Sequence, residues 1–222
     1  MIIDAVSDLH GFYPSLEEGD LLIVAGDITA QDNSFEYDEF LLWLNKQKYR
    51  KKILVAGNHD MLIEKIGMPP ESLPDNTEYL QDSGTEFEGL LIWGSPWTPW
   101  FRKVNPKCTA FMKRDKELFD YWEKIPKKVD ILVTHGPAYG ILDGIPLPWD
   151  GALYHAGSES LHGWLKYVER PRYHIFGHIH EAYGVEEYFC TYDDNMMQSI
   201  NCSHVNEKYK PVNKPQRIFY EK

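Results

Sequence analysis

An α/β fold is predicted from two features of this sequence. Short apolar runs alternate with amphipathic segments, and the runs end in turns built around glycine. The runs cover residues 2–6, 21–25, 53–56, 90–94, 131–134 and 174–176. They are short and rich in β-branched residues, which reads as buried strand. Residues 35–47 read as a helix, because Tyr37, Phe40, Leu41 and Leu44 recur at helical spacing on one face. Asn33 followed by Glu36 supplies a capping start for it. Further helices are expected over residues 113–124 and 159–168. The turn-rich stretch from residue 182 onward reads as antiparallel strands. No repeat, low-complexity tract or linker divides the chain, so residues 1–222 are expected to form one domain.

Composition narrows the function. Of 222 residues, 43% are hydrophobic and 26% charged, as expected of a soluble globular chain. The net charge of −11 argues against a dedicated binder of long nucleic acid. It does not argue against a small phosphate ester, since cations in a pocket reverse the local sign. Cys108, Cys190 and Cys202 form no C-x-x-C pair, which suggests a reducing compartment. The start of the chain has no basic, then apolar, leader pattern, and no run has the length of a membrane span. A cytoplasmic location is therefore expected, with no membrane partner. The Asn201-Cys202-Ser203 sequon is incidental in that setting.

The informative residues follow the strands. Residues 2–6 lead into Ser7-Asp8-Leu9-His10-Gly11, and 21–25 into Gly26-Asp27. Residues 53–56 lead into Gly57-Asn58-His59-Asp60, 131–134 into His135-Gly136-Pro137, and 174–176 into Gly177-His178-Ile179-His180. In α/β sheets the carboxyl ends of strands are where ligands bind. Carboxylates, imidazoles and an amide, without a thiolate, suit Mn, Fe or Zn. On an extended backbone, Asp8 and His10 would point the same way, as would His178 and His180. Each motif alone has a plainer reading. Gly-Asp is an ordinary turn, Asn58 a helix N-cap, and His135 a core histidine. Their conjunction in order, each after a separate apolar run, is what argues for a common site.

The order D-x-H, G-D, G-N-H-D, H-G, G-H-x-H resembles the calcineurin-like metallophosphoesterase superfamily. Closer likenesses lie in Tyr79-Leu80-Gln81-Asp82-Ser83, in Gly94-Ser95-Pro96-Trp97-Thr98-Pro99-Trp100-Phe101, in Gly177-His178-Ile179-His180-Glu181 and in Pro211-Val212-Asn213. These look like the metallophosphoesterase-domain-containing subgroup, whose studied members are phosphodiesterases. The resemblance implies a four-layer α/β/β/α sandwich with two mixed sheets. It also implies two divalent metal ions, Mn first, with Fe or Zn as alternatives. Asp8, His10 and His180 would hold one ion, Asn58, His135 and His178 the other, and Asp27 would bridge them. His59 would stand beside the phosphate as a non-ligand, oriented by Asp60. Ser158 departs from the cysteine often found in relatives, which leaves the role of His155 open.

The function expected on this basis is hydrolysis of a small phosphodiester, such as a 2′,3′- or 3′,5′-cyclic nucleotide. The attack would be in line, by hydroxide formed between the metals. Asn58 and His59 would contact the phosphate, and His59 would protonate the leaving alkoxide. The aromatic segment 93–101, with Trp97, reads equally as a cleft wall or as a packed corner. Tyr139 could line the same cleft or be an ordinary loop tyrosine. His162, His174 and His204 read as structural. A phosphomonoesterase or protein phosphatase of the same superfamily is the first alternative. The arginine of the phosphatase G-D-x-x-D-R-G motif is absent from Gly26-Asp27-Ile28-Thr29-Ala30-Gln31-Asp32. A nuclease of the superfamily is disfavoured by the acidic charge. A slow nucleotide-binding regulator is the alternative from outside enzymology.

Overall fold

A computed structural model describes residues 1–100, 108–149, 151–167, 171–188 and 196–221. The first half of the chain lays down β1 (Ile2–Val6), β2 (Gly19–Ala25), α1 (Ser34–Lys46), β3 (Tyr49–Val55), α2 (Met61–Ile66) and β4 (Thr77–Tyr79). Then come β5 (Ser83–Phe87), β6 (Leu90–Ser95), β7 (Thr98–Pro99), β8 (Met112–Lys113), α3 (Asp115–Trp122) and β9 (Ile131–Thr134). The remainder is β10 (Gly144–Pro146), β11 (Leu153–His155), α4 (Glu159–Tyr167), β12 (Tyr173–Phe176), β13 (Gly184–Tyr188), β14 (Met197–Asn201) and β15 (Gln216–Phe219).

Two mixed sheets carry the fold. The first has the order β15-β1-β2-β3-β4, the second β13-β14-β12-β9-β6-β5. Within the first, β1, β2, β3 and β4 run parallel and β15 is antiparallel to β1. Within the second, β6, β9, β12 and β14 run parallel, with β5 and β13 antiparallel at the edges. Two short ribbons, β7-β8 and β10-β11, lie outside these sheets.

Alternation along each strand sorts side chains into layers. Ile3, Ala5, Leu21, Ile23, Ile53 and Val55 pack against Ile92, Ile131, Val133, Ile175 and Ile200 of the other sheet. On the outer face of the first sheet, Leu22, Val24 and Leu54 meet Tyr37, Phe40 and Leu44 of α1 and Ile63 of α2. On the outer face of the second, Leu132, Phe176 and Met197 meet Leu118 and Trp122 of α3 and Leu161, Trp164 and Leu165 of α4. The layers are therefore helix, sheet, sheet, helix. Strands buried on both faces explain why they read as apolar runs rather than as alternating patterns.

The cap of α1 forms as expected, with Asn33 Oδ1 accepting from the Glu36 N–H at 3.0 Å. The second predicted helix is shorter, Asp115–Trp122, and residues 112–113 pair as β8. The third forms over Glu159–Tyr167, and residue 168 lies outside the described residues. The C-terminal reading is corrected in part. β13 and β15 are antiparallel to their neighbours, but β14 runs parallel to β12. It enters the sheet interior, where the apolar core beside β12 rewards a parallel partner buried on both faces.

Candidate metal centre

Parallel order brings the motif-bearing strand ends together. β1, β2 and β3 are neighbours in one sheet, and β9 and β12 in the other. Backbone bonds join the two edges. Ser7 N–H donates to the Cys202 carbonyl at 3.0 Å, and His204 N–H to the Ser7 carbonyl at 2.7 Å. All seven predicted metal residues converge at this junction.

Asp27 sits at the centre, 2% exposed. Its Oδ1 lies 3.4 Å from His135 Nε2 and accepts the His59 backbone N–H at 2.8 Å. Its Oδ2 lies 3.7 Å from His10 Nε2 and 4.0 Å from His59 Nε2. On one side, Asp8 Oδ1 lies 3.2 Å from His180 Nε2, while Oδ2 accepts the His178 N–H at 2.9 Å. On the other side, Asn58 Oδ1 lies 2.9 Å from His135 Nε2. The ring of His178 stacks edgewise on His135 at 4.9 Å.

The donor set fits a metal. Three groups have ligand atoms within 4.8 Å of one another: Asp8, His10 and His180; His10, Asp27 and His59; and Asp8, Asp27 and His135. Two imidazoles are oriented from behind. His135 Nδ1 faces the Ala25 carbonyl at 3.0 Å and His10 Nδ1 the Thr29 carbonyl at 3.2 Å. A backbone carbonyl takes an N–H, so Nδ1 of each ring is committed as a donor and Nε2 is the atom turned toward the carboxylates. That is the support metal-ligating histidines ordinarily have. His10 Nε2 is buried and has no hydrogen-bond partner among the described residues. An orphaned buried acceptor is costly unless something binds it.

The electrostatics follow from packing carboxylates and imidazoles away from water. Burial alone would raise the Asp8 carboxyl, but the hydrogen bond and charge of His180 hold it well below the usual range. Burial acts on Asp27 in the same way, and His135, His59 and His10 outweigh it. Burial opposes charge on His135 too, yet Asp27 lifts its pKa to about 9. Burial dominates at His10, pushed down to about 4, and at His178, pushed down to about 3. A divalent cation would take the place of the proton that His135 otherwise holds.

The loops reach this geometry under strain. Asp8, His10, Asp27 and His178 have φ values of 52°, 44°, 53° and 69°. Non-glycine residues rarely adopt this left-handed region, and it concentrates at functional sites. The expectation of an extended Asp8-Leu9-His10 is thereby corrected. The strand stops at Val6, and the chain turns so that both side chains enter the cluster. His178 likewise departs from extended backbone, and His180 opens a short 3₁₀ turn.

Close approach demands glycine. A Cβ on Gly177 would stand 2.1 Å from Asp8 Oδ2 and 2.2 Å from Ser7 Oγ. Gly177→Ala should therefore displace Asp8 and weaken metal affinity about tenfold or more. Metal content after dialysis, measured by plasma mass spectrometry, checks this. A folded variant retaining wild-type content would contradict the geometry.

The remaining predicted residues divide. Asn58 is no helix cap: its Nδ2 donates to the Cys108 carbonyl at 3.1 Å, leaving Oδ1 facing the cluster. Asp60 is corrected. Among the described residues, none of its hydrogen bonds goes to the His59 ring. Its carboxylate accepts from the backbone N–H groups of Gly57, Asp27 and Ile28 at 2.7, 3.0 and 3.1 Å. The reason is local: the loops after β2 and β3 both turn their backbone donors inward. Burial and the charge of Asp27 raise its pKa to about 8. Trp97 is corrected to the packing reading. Its Nε1–H donates to Asp82 at 2.9 Å, and its ring meets Phe111 edge-on and Tyr121 at a tilt. Phe101 lies outside the described residues. Tyr139 is exposed and its ring lies 5.2 Å from His155, not against the cluster. His155 Nδ1 is 2.6 Å from buried Asp143, within the β10-β11 ribbon.

One residue at the site has no motif signal. The Tyr209 ring lies 4.9 Å from His10, 5.2 Å from His180 and 6.3 Å from His59. The nearby Pro211-Val212-Asn213 likeness marked its loop, but nothing distinguished Tyr209 from thirteen other tyrosines.

This fold and donor set define a class. The calcineurin-like phosphoesterase family model matches residues 1–182, and the chain belongs to that family. It is 35% identical to the human and mouse metallophosphoesterase domain-containing protein 1, over 95% of this chain and 68% of theirs. Among solved structures, one protein superposes with a TM-score of 0.60 over 99% of both chains, at 12% identity. TT1561 of Thermus thermophilus superposes with a TM-score of 0.55 over 90% of this chain and 88% of its own, at 15% identity. Both likenesses are of fold. No helix among the described residues is long and apolar enough to cross a membrane.

Proposed function

We propose that this phosphoesterase hydrolyses small phosphodiesters, cyclic nucleotides among them, at a centre holding two divalent cations. The observation that carries the reading is the split of the Asp27 carboxylate. One oxygen faces His135 and the other His10, at 3.4 and 3.7 Å. In this reading Asp8, His10 and His180 would hold one cation, Asn58, His135 and His178 would hold the other, and Asp27 would serve both. Mn is the first choice, with Fe or Zn as alternatives, from the mix of oxygen and nitrogen donors. Such cations supply Lewis acidity toward the phosphoryl oxygens and make water acidic near neutral pH.

The chain's own residues do the rest. Asn58, fixed by Cys108, serves as an oxygen donor to the centre. His59 is 13% exposed at its side chain and its backbone is pinned by Asp27. It carries at Nε2 the proton for the leaving alkoxide. Asp60 is a positioning residue that locks the loops bearing Asp27 and His59. The substrate is small, because an acidic chain repels long polyanions outside the centre. A cytoplasmic setting belongs to the same reading, from the reducing compartment that the cysteine spacing suggests.

The test is turnover with Mn, Fe, Zn or Mg, on a phosphodiester, a phosphomonoester and the 2′,3′- and 3′,5′-cyclic nucleotides. Diester cleavage is expected to exceed monoester cleavage. Monoester preference would overturn the substrate class and leave the metal assignment standing. Tight mononucleotide binding without cleavage of any ester would favour a regulator.

A further inference from the structure

The half of the ester that is not phosphate needs its own contact surface. Trp97 is half-buried against Phe111 and Tyr121, and the Tyr139 ring lies by His155. Tyr209 is placed differently. Its ring touches His10, His180 and His59, which come from the loops after β1, β12 and β3. Yet the residue is 48% exposed. It is therefore a wall between the cluster and solvent, not part of the core. Its hydroxyl has no hydrogen bond among the described residues, so no polar anchor explains why the ring stands there.

The loop behind it is held firmly. Tyr209 has φ 54°, a left-handed backbone that costs about 1 kcal/mol or more in a non-glycine residue. Asn206 Oδ1 accepts from the N–H groups of Lys208 and Lys210, both at 3.0 Å, on either side of Tyr209. The Asn206 carbonyl accepts the Tyr209 N–H at 2.8 Å. The loop base is tied to the site, as His204 N–H donates to the Ser7 carbonyl at 2.7 Å, one residue before Asp8. Asn213 closes it by donating to the Ser203 carbonyl at 2.9 Å. A strained, pre-ordered, half-exposed aromatic ring beside a polar cluster is a stacking surface whose ordering entropy is already spent.

We infer that Tyr209 is a specificity-determining residue, whose ring selects phosphate esters carrying a flat aromatic organic group. This rests on the phosphoesterase site proposed above, which sets where phosphorus lies. A substituent one bond from phosphorus at the cluster comes within reach of a ring 4.9 Å from His10. Stacking of a flat group on a tyrosine contributes on the order of tenfold or more in affinity.

The test uses phosphonates, whose P–C bond resists hydrolysis, so binding is read apart from turnover. Phenylphosphonate and methylphosphonate are titrated calorimetrically into the Mn-loaded protein. Wild type should prefer the phenyl compound by about tenfold or more. Tyr209→Phe should keep that preference, and Tyr209→Leu and Tyr209→Ala should bring the ratio close to unity with Mn content unchanged. An unchanged ratio in Tyr209→Ala overturns the inference while the phosphoesterase reading stands. Equal weakening of both ligands also overturns it, since the ring would then serve the phosphate site and not the organic group. Failure of wild type to bind either phosphonate overturns both the inference and the site reading beneath it.

Discussion

Asp27→Ala is expected to lower turnover by about a thousandfold or more and to leave fewer metal ions bound per chain. The first figure exceeds the 10²–10³ typical of losing one stabilising donor, because Asp27 serves both halves of the proposed centre. Its two oxygens face His135 and His10, and Oδ1 also accepts the His59 backbone N–H. Stability should fall with activity. His135, His59 and His10 hold the Asp27 carboxyl below its ordinary range, so at neutral pH its charge favours the fold despite its repulsion of Asp60. Asp27→Asn keeps the shape and removes the charge. Without added metal it should unfold at a lower temperature than wild type, while losing turnover as completely as the alanine variant. Metal content, kcat and calorimetric unfolding in the presence of a chelator measure the three parts. Wild-type turnover by a metal-replete Asp27→Ala would sink the assignment of the centre.

What the sequence made legible was what short-range physics controls. Strands β1 and β9 fall where apolar runs and following glycines place them. Helix α1 falls within a residue of its expected span, because its cap and its apolar stripe agree. The ligand set was legible because each member follows a strand, and parallel strands deliver their ends to one edge. What was not legible depends on contacts distant in sequence. The parallel placement of β14 is decided by β12, some twenty residues earlier. The turned backbone at Asp8 and His10 is held by the Gly26 and Asp27 carbonyls, which accept their N–H groups at 2.9 and 3.1 Å. Trp97 was ambiguous because an indole packs and stacks equally well, and its Asp82 partner belongs to a different loop. Tyr209 reaches the site only because its loop is tied back to Ser7, almost two hundred residues away.

Asp60→Ala should cost about 3–5 kcal/mol, from four backbone donors left buried without this partner. For a chain of this length that is a fall of about 10 °C in Tm. The side chain is 0% exposed, so no bulk water replaces it. Turnover should fall about a hundredfold, the usual result of shifting a reacting group by an ångström. The pattern of that loss separates two roles for Asp60. If it acted by orienting the His59 ring, as the sequence suggested, only esters needing a proton on a poor leaving group would suffer. If it acts by clasping the loops after β2 and β3, Asp27 and His59 move together, and esters with good and poor leaving groups lose equally. Asp60→Asn should lie between wild type and alanine, because one amide oxygen still accepts while the NH2 faces other donors. A loss confined to poor leaving groups would return Asp60 to the proton-transfer machinery. An equal loss, with the lowered Tm, assigns it to holding the site in shape.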